Sequence, residues 1–287
     1  MAGFTLDKQS KFDAYHATVP VGVQMLRDTL DGAFSADATA VPGRPVNGFK
    51  QAVSWQVQQT GELLATMMWG GVNPHPFVIA QSDPSIRLAS VLRSAYPEHR
   101  VARLDVAVDM GPEGVFDEAF RVLASTSAKY TRLKGERRLG DDPEDGSTYY
   151  LGTRGSALYL RLYEKDKQLA KLTGDRVWRS SPFRGWTRLE LEVRPEKAFK
   201  VAAAKLPPDA FWGCSPWTRD VASGILELHP EAISMKPTRI ADHERAMRAL
   251  AAQYGTTLRR HMERLGSDEE FLDDLKRRLG IGLAEAA

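Results

Sequence analysis

The sequence predicts an α+β fold: an antiparallel sheet with helices on one face, followed by a helical C-terminal region. Three observations predict it. Residues 103–109, 158–165 and 188–194 alternate aliphatic and ionisable side chains with a period of two, the pattern of strands with one buried face. Segments with helical spacing of apolar residues, such as 114–127, separate strand-like ones. From about residue 239 onward the pattern is helical throughout. The expected division is an α+β domain over residues 1–230 and a helical region over 231–287, with no internal repeat.

Taken in order, residues 11–23 read as a first strand running into a turn, and a polar segment with Gly and Pro follows to about residue 47. Residues 50–81, with Gly70 and Gly71, read as strands with loops between them. A helix is expected at 84–95, with Asp83 as its cap, Pro84 at the first helical position and Ile86, Ala89 and Val91/Leu92 on its apolar face. Pro97 ends it, and a strand follows at 101–109. A second helix at 114–127 would bury Phe116, Ala119, Phe120 and Leu123. Residues 133–147 read as a charged loop without periodicity. Residues 148–152 and 157–165 form a β-hairpin across Thr153 to Ser156, and 187–194 form another strand. Pro195 opens a helix to about Lys205. In the tail, Ser267 with Glu270 makes a capping box and Gly280 stops the helix.

Composition narrows the function classes. The 287 residues are 43% hydrophobic and 26% charged, ordinary values for a chain with a packed core. Net charge is only +2, so distribution matters more than the total. Arg132, Lys134, Arg137 and Arg138 precede the acidic Asp141, Asp142, Glu144 and Asp145. A later basic set comprises Lys236, Arg239, Arg245, Arg248, Arg259, Arg260 and Arg264. Solvated surface is the ordinary reading of such runs, and phosphate contact the functional one. Cys214 is the sole cysteine, which excludes an internal disulfide and fits a reducing compartment. Apolar runs of membrane-spanning length and an N-terminal secretory core are lacking, so a cytoplasmic location without membrane contact is expected. A phosphate-binding Gly-x-x-x-x-Gly-Lys-Ser/Thr loop is also lacking, which argues against an ATPase.

The alternation concentrates ionisable groups on one sheet face. Arg103, Asp105, Ala107 and Asp109 share one side of their strand, as do Arg188, Glu190, Glu192 and Arg194, and Tyr159, Arg161, Tyr163 and Lys165. A half-exposed sheet with cross-strand ion pairs accounts for part of this. Clustered carboxylates raise each other's pKa unless a cation lies between them. An all-oxygen donor set favours Mg²⁺ or Mn²⁺ over zinc. A metal beside a tyrosine supplies the parts for strand transfer on DNA. The metal would polarise a phosphodiester, and the phenol would attack if the metal or Lys165 favours its phenolate. Tyr159 and Tyr150 are alternative nucleophiles, and His16 could approach the site.

Three blocks resemble the replication initiation factor family of small rolling-circle plasmids and filamentous phages, which also contains relaxases of some integrative conjugative elements. Arg103-Leu-Asp-Val-Ala-Val-Asp109 resembles its Arg-φ-Asp-φ-Ala-φ-Asp strand, φ being apolar. Residues 148–165 resemble its Thr-x-Tyr-φ-Gly-x-Arg-x-Ser-x-x-φ-φ-Arg-φ-Tyr-x-Lys block. Residues 186–192 resemble its Trp-x-Arg-φ-Glu-φ-Glu strand. The resemblance spans about residues 11 to 205, and its middle block is the most specific.

The resemblance implies a nickase- or relaxase-like sheet and a metal-dependent, site-specific nicking and rejoining of DNA through a 5′-phosphotyrosine. Tyr163 would be the nucleophile, flanked by Arg161 and Lys165. Asp105, Glu190 and Glu192 would bind the metal, with Asp109 as a supporting or alternative ligand. The implied partners are single-stranded or hairpin origin DNA and a separate host helicase, and homodimer formation is left open. A conjugative relaxase shares this chemistry, a DNA-binding regulator could keep the fold without cleavage, and a two-metal nuclease would use water instead. Gln168 departs from the family, which often has Glu there.

Overall fold

The computed structural model describes residues 9–111, 114–140, 145–180, 183–197, 199–235 and 242–280. The chain divides into two compact units, Met1–Lys236 and Pro237–Ala287.

The first unit is built on a ten-stranded antiparallel sheet. Its strands are β1 (Lys11–Thr18), β2 (Thr39–Pro42), β3 (Gln51–Gln56), β4 (Leu63–Trp69), β5 (Phe77–Gln81), β6 (Arg100–Met110), β7 (Gly135–Leu139), β8 (Ser147–Gly152), β9 (Leu158–Glu164) and β10 (Thr187–Val193). Their order across the sheet is β2-β3-β4-β5-β1-β6-β10-β9-β8-β7. Two meanders therefore flank a centre in which β1, β6 and β10 meet from distant parts of the chain.

The period-two alternation determines the layering. Leu104, Val106 and Val108 on β6, Leu189, Leu191 and Val193 on β10, and Leu160 and Leu162 on β9 all face the core. Helices cover that face: α1 (Val23–Phe34), α2 (Pro84–Ala95), α3 (Val115–Lys129), α5 (Phe199–Ala203) and α6 (Pro216–Val221) all contribute to the same core. This is the predicted α+β sheet with helices on one face. Each fully buried large aliphatic side chain here stabilises the fold by about 1.5–3 kcal/mol.

Several local expectations are corrected. The segment before residue 47 is not all loop: α1 buries Leu26, Leu30 and Phe34 at helical spacing. Its N-cap is Gly22, which makes no side-chain cap bond, so no polar start signal marked it. Residues 84–95 are helical, but Asp83 has helical dihedrals and caps nothing; it pairs with Lys11 instead. The buried face is Ser85, Leu88, Ala89 and Leu92, and Ile86 is exposed. Ser85 Oγ donates to Phe12 O at 2.8 Å and ties α2 to β1. Residues 135–139 form an edge strand rather than a loop. Every residue of β7 is exposed, so it has no inward face to create an alternation. Lys165 does not continue β9 but starts α4 (Lys165–Thr173). The helix expected after Pro195 is the short α5.

The second unit is described as a helical hairpin, α7 (Asp242–Leu265) and α8 (Asp268–Arg278). Ser267 accepts from the backbone N–H of Glu270 at 3.2 Å, the first half of the expected capping box. Acidic residues open α8 and Lys276, Arg277 and Arg278 close it, matching its dipole. His261 Nε2 lies 2.8 Å from Asp274 Oδ2 and joins the two helices. Of the late basic set, Lys236 and Arg239 lie outside the described residues. No helix among the described residues is long and apolar enough to cross a membrane.

All six tryptophans precede residue 236, so tryptophan fluorescence reads the first unit alone. A chain ending at residue 236 is expected to keep a single cooperative urea transition at the midpoint of the full-length protein. A non-cooperative fluorescence change would show that the first unit needs the second.

Candidate active site

Directly opposed residues of antiparallel strands share a face, so register assembles the site. One row across the sheet is Thr148, Tyr163, Arg188 and Asp109. The next is Tyr150, Arg161, Glu190, Ala107 and Lys11. A third is Gly152, Tyr159, Glu192, Asp105 and Ala14. Ala107, in the middle, adds only a methyl group among these long polar side chains.

Asp105, Glu190 and Glu192 are each less than 5% exposed. Two arginines link them. Arg161 Nη2 donates to Asp105 Oδ2 at 3.2 Å and to Glu190 Oε1. Arg103 makes a bidentate contact with Asp105 at 2.9 and 2.5 Å, and its Nη2 lies 3.1 Å from Glu192 Oε2. Arg194 Nε donates to Glu192 Oε1 at 2.6 Å. Isolated buried carboxylates would cost several kcal/mol each; here every one has a guanidinium.

Tyr163 is 7% exposed and its hydroxyl donates to Glu190 Oε2 at 3.1 Å. Burial, reinforced by the Glu190 charge, raises the phenol pKa far above its ordinary value, so the resting group is a neutral phenol. Glu190 thus turns Oε2 to the tyrosine and Oε1 to Arg161. Burial pushes its pKa up to about 7; Arg161 opposes the shift and Asp105 adds to it. A carboxylate with such a pKa can accept a proton near neutrality.

A second network buttresses the first. Arg188 is 5% exposed. It donates from Nε and Nη2 to the two oxygens of Asp109 at 2.6 and 2.8 Å, and from Nη1 to Asp13 at 2.8 Å. Trp186 Nε1 donates to Asp109 Oδ1 at 2.8 Å, and Lys11 Nζ lies 3.1 Å from Oδ2. Burial disfavours the Asp109 charge, but Arg188, Trp186 and Lys11 outweigh it and hold the pKa below the usual carboxylate range. Both oxygens of Asp109 therefore already have donors.

Lys165 lies at the start of α4 with Nζ 5.6 Å from the Tyr163 ring centroid, and it donates to Gln168 Oε1 at 3.1 Å. Burial, with the charge of Arg188, lowers its pKa. Of the alternative nucleophiles, Tyr150 and Tyr159 stack on each other in the neighbouring rows, with centroids 5.7 Å apart. Among the described residues, Tyr163 is the tyrosine whose hydroxyl meets one of the three linked carboxylates.

The sequence reading assigned no role to Arg188, Trp186, Lys11 or Asp13. The first two lie within the quoted motif strand, but nothing in the sequence pairs them with Asp109, 79 and 77 positions away. His16 lies opposite Arg103. Burial, aided by Arg103, lowers its pKa to about 4, so the imidazole is neutral at pH 7. Its buried Nε2 has no hydrogen-bond partner among the described residues.

The donor set suits a hard divalent cation by chemistry, since Asp105, Glu190 and Glu192 offer only oxygen. Each of Arg103 and Arg161 touches two of these carboxylates with a single nitrogen. One positive centre can therefore be shared between neighbouring acids. Among the described residues no three acidic, imidazole or thiol groups already stand at metal-binding spacing. The arginines hold the positive charge in this arrangement, and Arg161 is the one facing both Asp105 and Glu190.

Removing Arg188 takes the guanidinium from Asp13 and from buried Asp109, which keeps Lys11 and Trp186. Arg188→Met is expected to lower stability by about 3–5 kcal/mol, read as a fall in the urea midpoint. Combined with Asp109→Asn, the loss should be smaller than the sum of the two single losses. Strict additivity would show that the pair is not coupled.

Comparison with known proteins agrees with this architecture. Residues 99–211 match the family described as replication initiation factor. That match contains β6, β9 and β10, the three strands that supply Asp105, Tyr163, Glu190 and Glu192. No curated protein sequence gives a significant match. Among solved structures, the rolling-circle replication initiator protein from Geobacillus stearothermophilus aligns with a TM-score of 0.51 at 17% identity. The alignment covers 79% of this chain and 99% of that one. Residues 99–211 thus carry the pattern of the replication initiation factor family, set in a fold similar to that of a rolling-circle replication initiator.

Proposed function

We propose that this chain initiates rolling-circle DNA replication by nicking and rejoining a single strand at an origin, with Tyr163 as the nucleophile. One observation carries the reading: the Tyr163 hydroxyl is bonded to Glu190, which is linked through Arg161 to Asp105 on the same sheet face. The family matched and the initiator fold support it.

In the proposed reaction the Tyr163 oxygen attacks phosphorus and its proton passes to Glu190 Oε2. The O–P bond to tyrosine forms as the bond to the 3′ oxygen breaks. That oxygen leaves as a hydroxyl after taking a proton from solvent. The products are a 5′-phosphotyrosine and a free 3′ end, and because a phosphodiester is kept the step can run backward. The Lys165 ammonium near the ring would favour negative charge on the phenol oxygen, and Arg161 would meet the phosphate. A divalent cation, Mg²⁺ or Mn²⁺, would be held by Asp105, Glu192 and the Oε1 side of Glu190, and would neutralise phosphate charge. Asp109, tied to Arg188, then supports the sheet beside the site. A helicase acting in trans remains part of this proposal, as does a cytoplasmic site of action, and homodimer formation stays open.

A second reading, a DNA-binding regulator, draws on the burial of Tyr163 and the neutralisation of its acids by arginines. The same chemistry would also serve a conjugative relaxase.

Tyr163→Phe is expected to abolish the covalent adduct formed with single-stranded origin DNA and Mn²⁺ while changing DNA affinity only a few-fold. Mass spectrometry of the nucleotide-bearing peptide is the readout. A parent protein that never forms the adduct would decide for the regulator, and 5′-phosphate products with an active Tyr163→Phe would indicate attack by water.

Nicking should rise with pH as Glu190 ionises, because Glu190 accepts the proton only when ionised, and a cation held at Oε1 would move that rise below about 7. Glu190→Gln should slow nicking by about 10²–10⁴-fold and remove that rise. A Glu190→Gln variant with the parental pH profile excludes Glu190 as the base. Lys165→Ala should slow nicking with binding nearly intact; a large loss of affinity would place Lys165 among the phosphate contacts instead.

A further inference from the structure

Beside the three carboxylates, on the same sheet face, lies a cleft of about 470 Å³. Two half-buried tyrosines form part of its wall. Tyr150 on β8 and Tyr159 on β9 have ring planes within 9° of each other and centroids 5.7 Å apart. The Arg138 guanidinium extends the stack, 5.2 Å from the Tyr150 centroid. Gly152 lies beside them with φ +96°. A Cβ there would come within 3.0 Å of Leu158 O and lie against Tyr159, so glycine permits this close approach of the two strands.

The charge of the cleft is unbalanced. Six basic side chains and two carboxylates line it. Glu136 is bound by Arg138, and Glu192 by Arg103 and Arg194. Lys134 and Arg154 are exposed, and neither has an ion-pair partner among the described residues. They come from different elements, Lys134 from the residue before β7 and Arg154 from the β8–β9 turn. Tyr159 and Arg161 line the cleft, and Tyr163 follows on the same face of β9, about 7 Å further along at ~3.3 Å per residue.

We propose that this cleft holds unpaired nucleotides next to the scissile phosphate, with a base on the Tyr150–Tyr159 stack and backbone phosphates on Lys134 and Arg154. The proposal rests on the reading that the chain acts on single-stranded DNA, and it names the subsite. Duplex bases already stack on their neighbours, so an aromatic platform serves an unstacked base. An acidic peptide would use the cations and leave the tyrosine faces unused. Cations from two elements suit successive phosphates of a polymer better than one free nucleotide.

The test uses the full chain carrying Tyr163→Phe to prevent reaction. Binding of a fluorescein-labelled single-stranded oligonucleotide and of a duplex of equal length is followed by anisotropy. Arg154→Ala and Tyr150→Leu should each weaken single-strand binding by about tenfold, with a much smaller loss for duplex. Arg154→Lys should recover most of the affinity. A 5-iodouracil oligonucleotide should crosslink to Tyr150 or Tyr159. Unchanged single-strand affinity in both variants, equal losses on single strand and duplex, or a crosslink mapping outside the cleft would each overturn the proposal. Thermal melts of the variants separate loss of fold from loss of contact.

Adduct formation by the parent chain distinguishes this idea from the reading beneath it. Adduct formation with affinity indifferent to the cleft removes the subsite and leaves nicking. Cleft-dependent single-strand binding without any adduct leaves the subsite and removes nicking.

Discussion

Arg161 stands between Glu190 and Asp105, and Arg103 between Asp105 and Glu192, on the polar face of β6, β10 and β9. The rest of the site depends on this alternation of buried opposite charges. Ionised carboxylates so far from water are tolerable only when paired and hydrogen-bonded. The arginines make it possible to gather three acids within a few side-chain widths. They also leave Glu190 with one oxygen free to meet Tyr163. Burial supplies the opposing pressure, lifting the pKa of Glu190 and of the phenol together. The result is a neutral phenol resting against a carboxylate whose protonation changes near neutral pH.

The sheet accomplishes this by register. Rows of paired residues carry the polar chain from β8 across β9, β10 and β6 to β1 without a turn of backbone between neighbours. The aliphatic residues in between lock the same strands to the helical layer, so a slip of one residue would exchange the two faces outright. The Arg188–Asp109–Trp186 cluster adds a second constraint at the end of this arrangement where Tyr163 sits. The hydrogen bonds of Arg188 go to Asp109 and Asp13 rather than to the three linked acids. Those bonds tie β10 to β6 and β1.

Much of the fold was legible in the sequence because its signals are local. Alternation placed β6, β9 and β10 and separated their polar from their aliphatic faces. Spacing placed α2, α3 and the tail helices. What was missed lacked a local signature or competed with one. The helix α1 starts at a glycine with no side-chain cap, although Leu26, Leu30 and Phe34 were spaced for it. The edge strand β7 is exposed on both faces and shows no alternation. The face of α2 was displaced because Ser85, a polar residue, is buried to bond Phe12 O, while Ile86 is left outside.

The candidate site divides in the same way. Sequence alone determined that Asp105, Glu190, Glu192, Arg161 and Tyr163 lie on the polar sides of their strands, since side-chain direction follows from a period of two. It also set Lys165 beside Tyr163 by simple adjacency. Tertiary structure decided which arginine meets which acid, that Tyr163 bonds Glu190 rather than another carboxylate, and that Asp109 is occupied by Arg188. It also brought β1, with Lys11, Asp13 and His16, against β6. Those choices depend on strand order and register between segments as many as 175 residues apart, and no local pattern encodes a contact made across that distance.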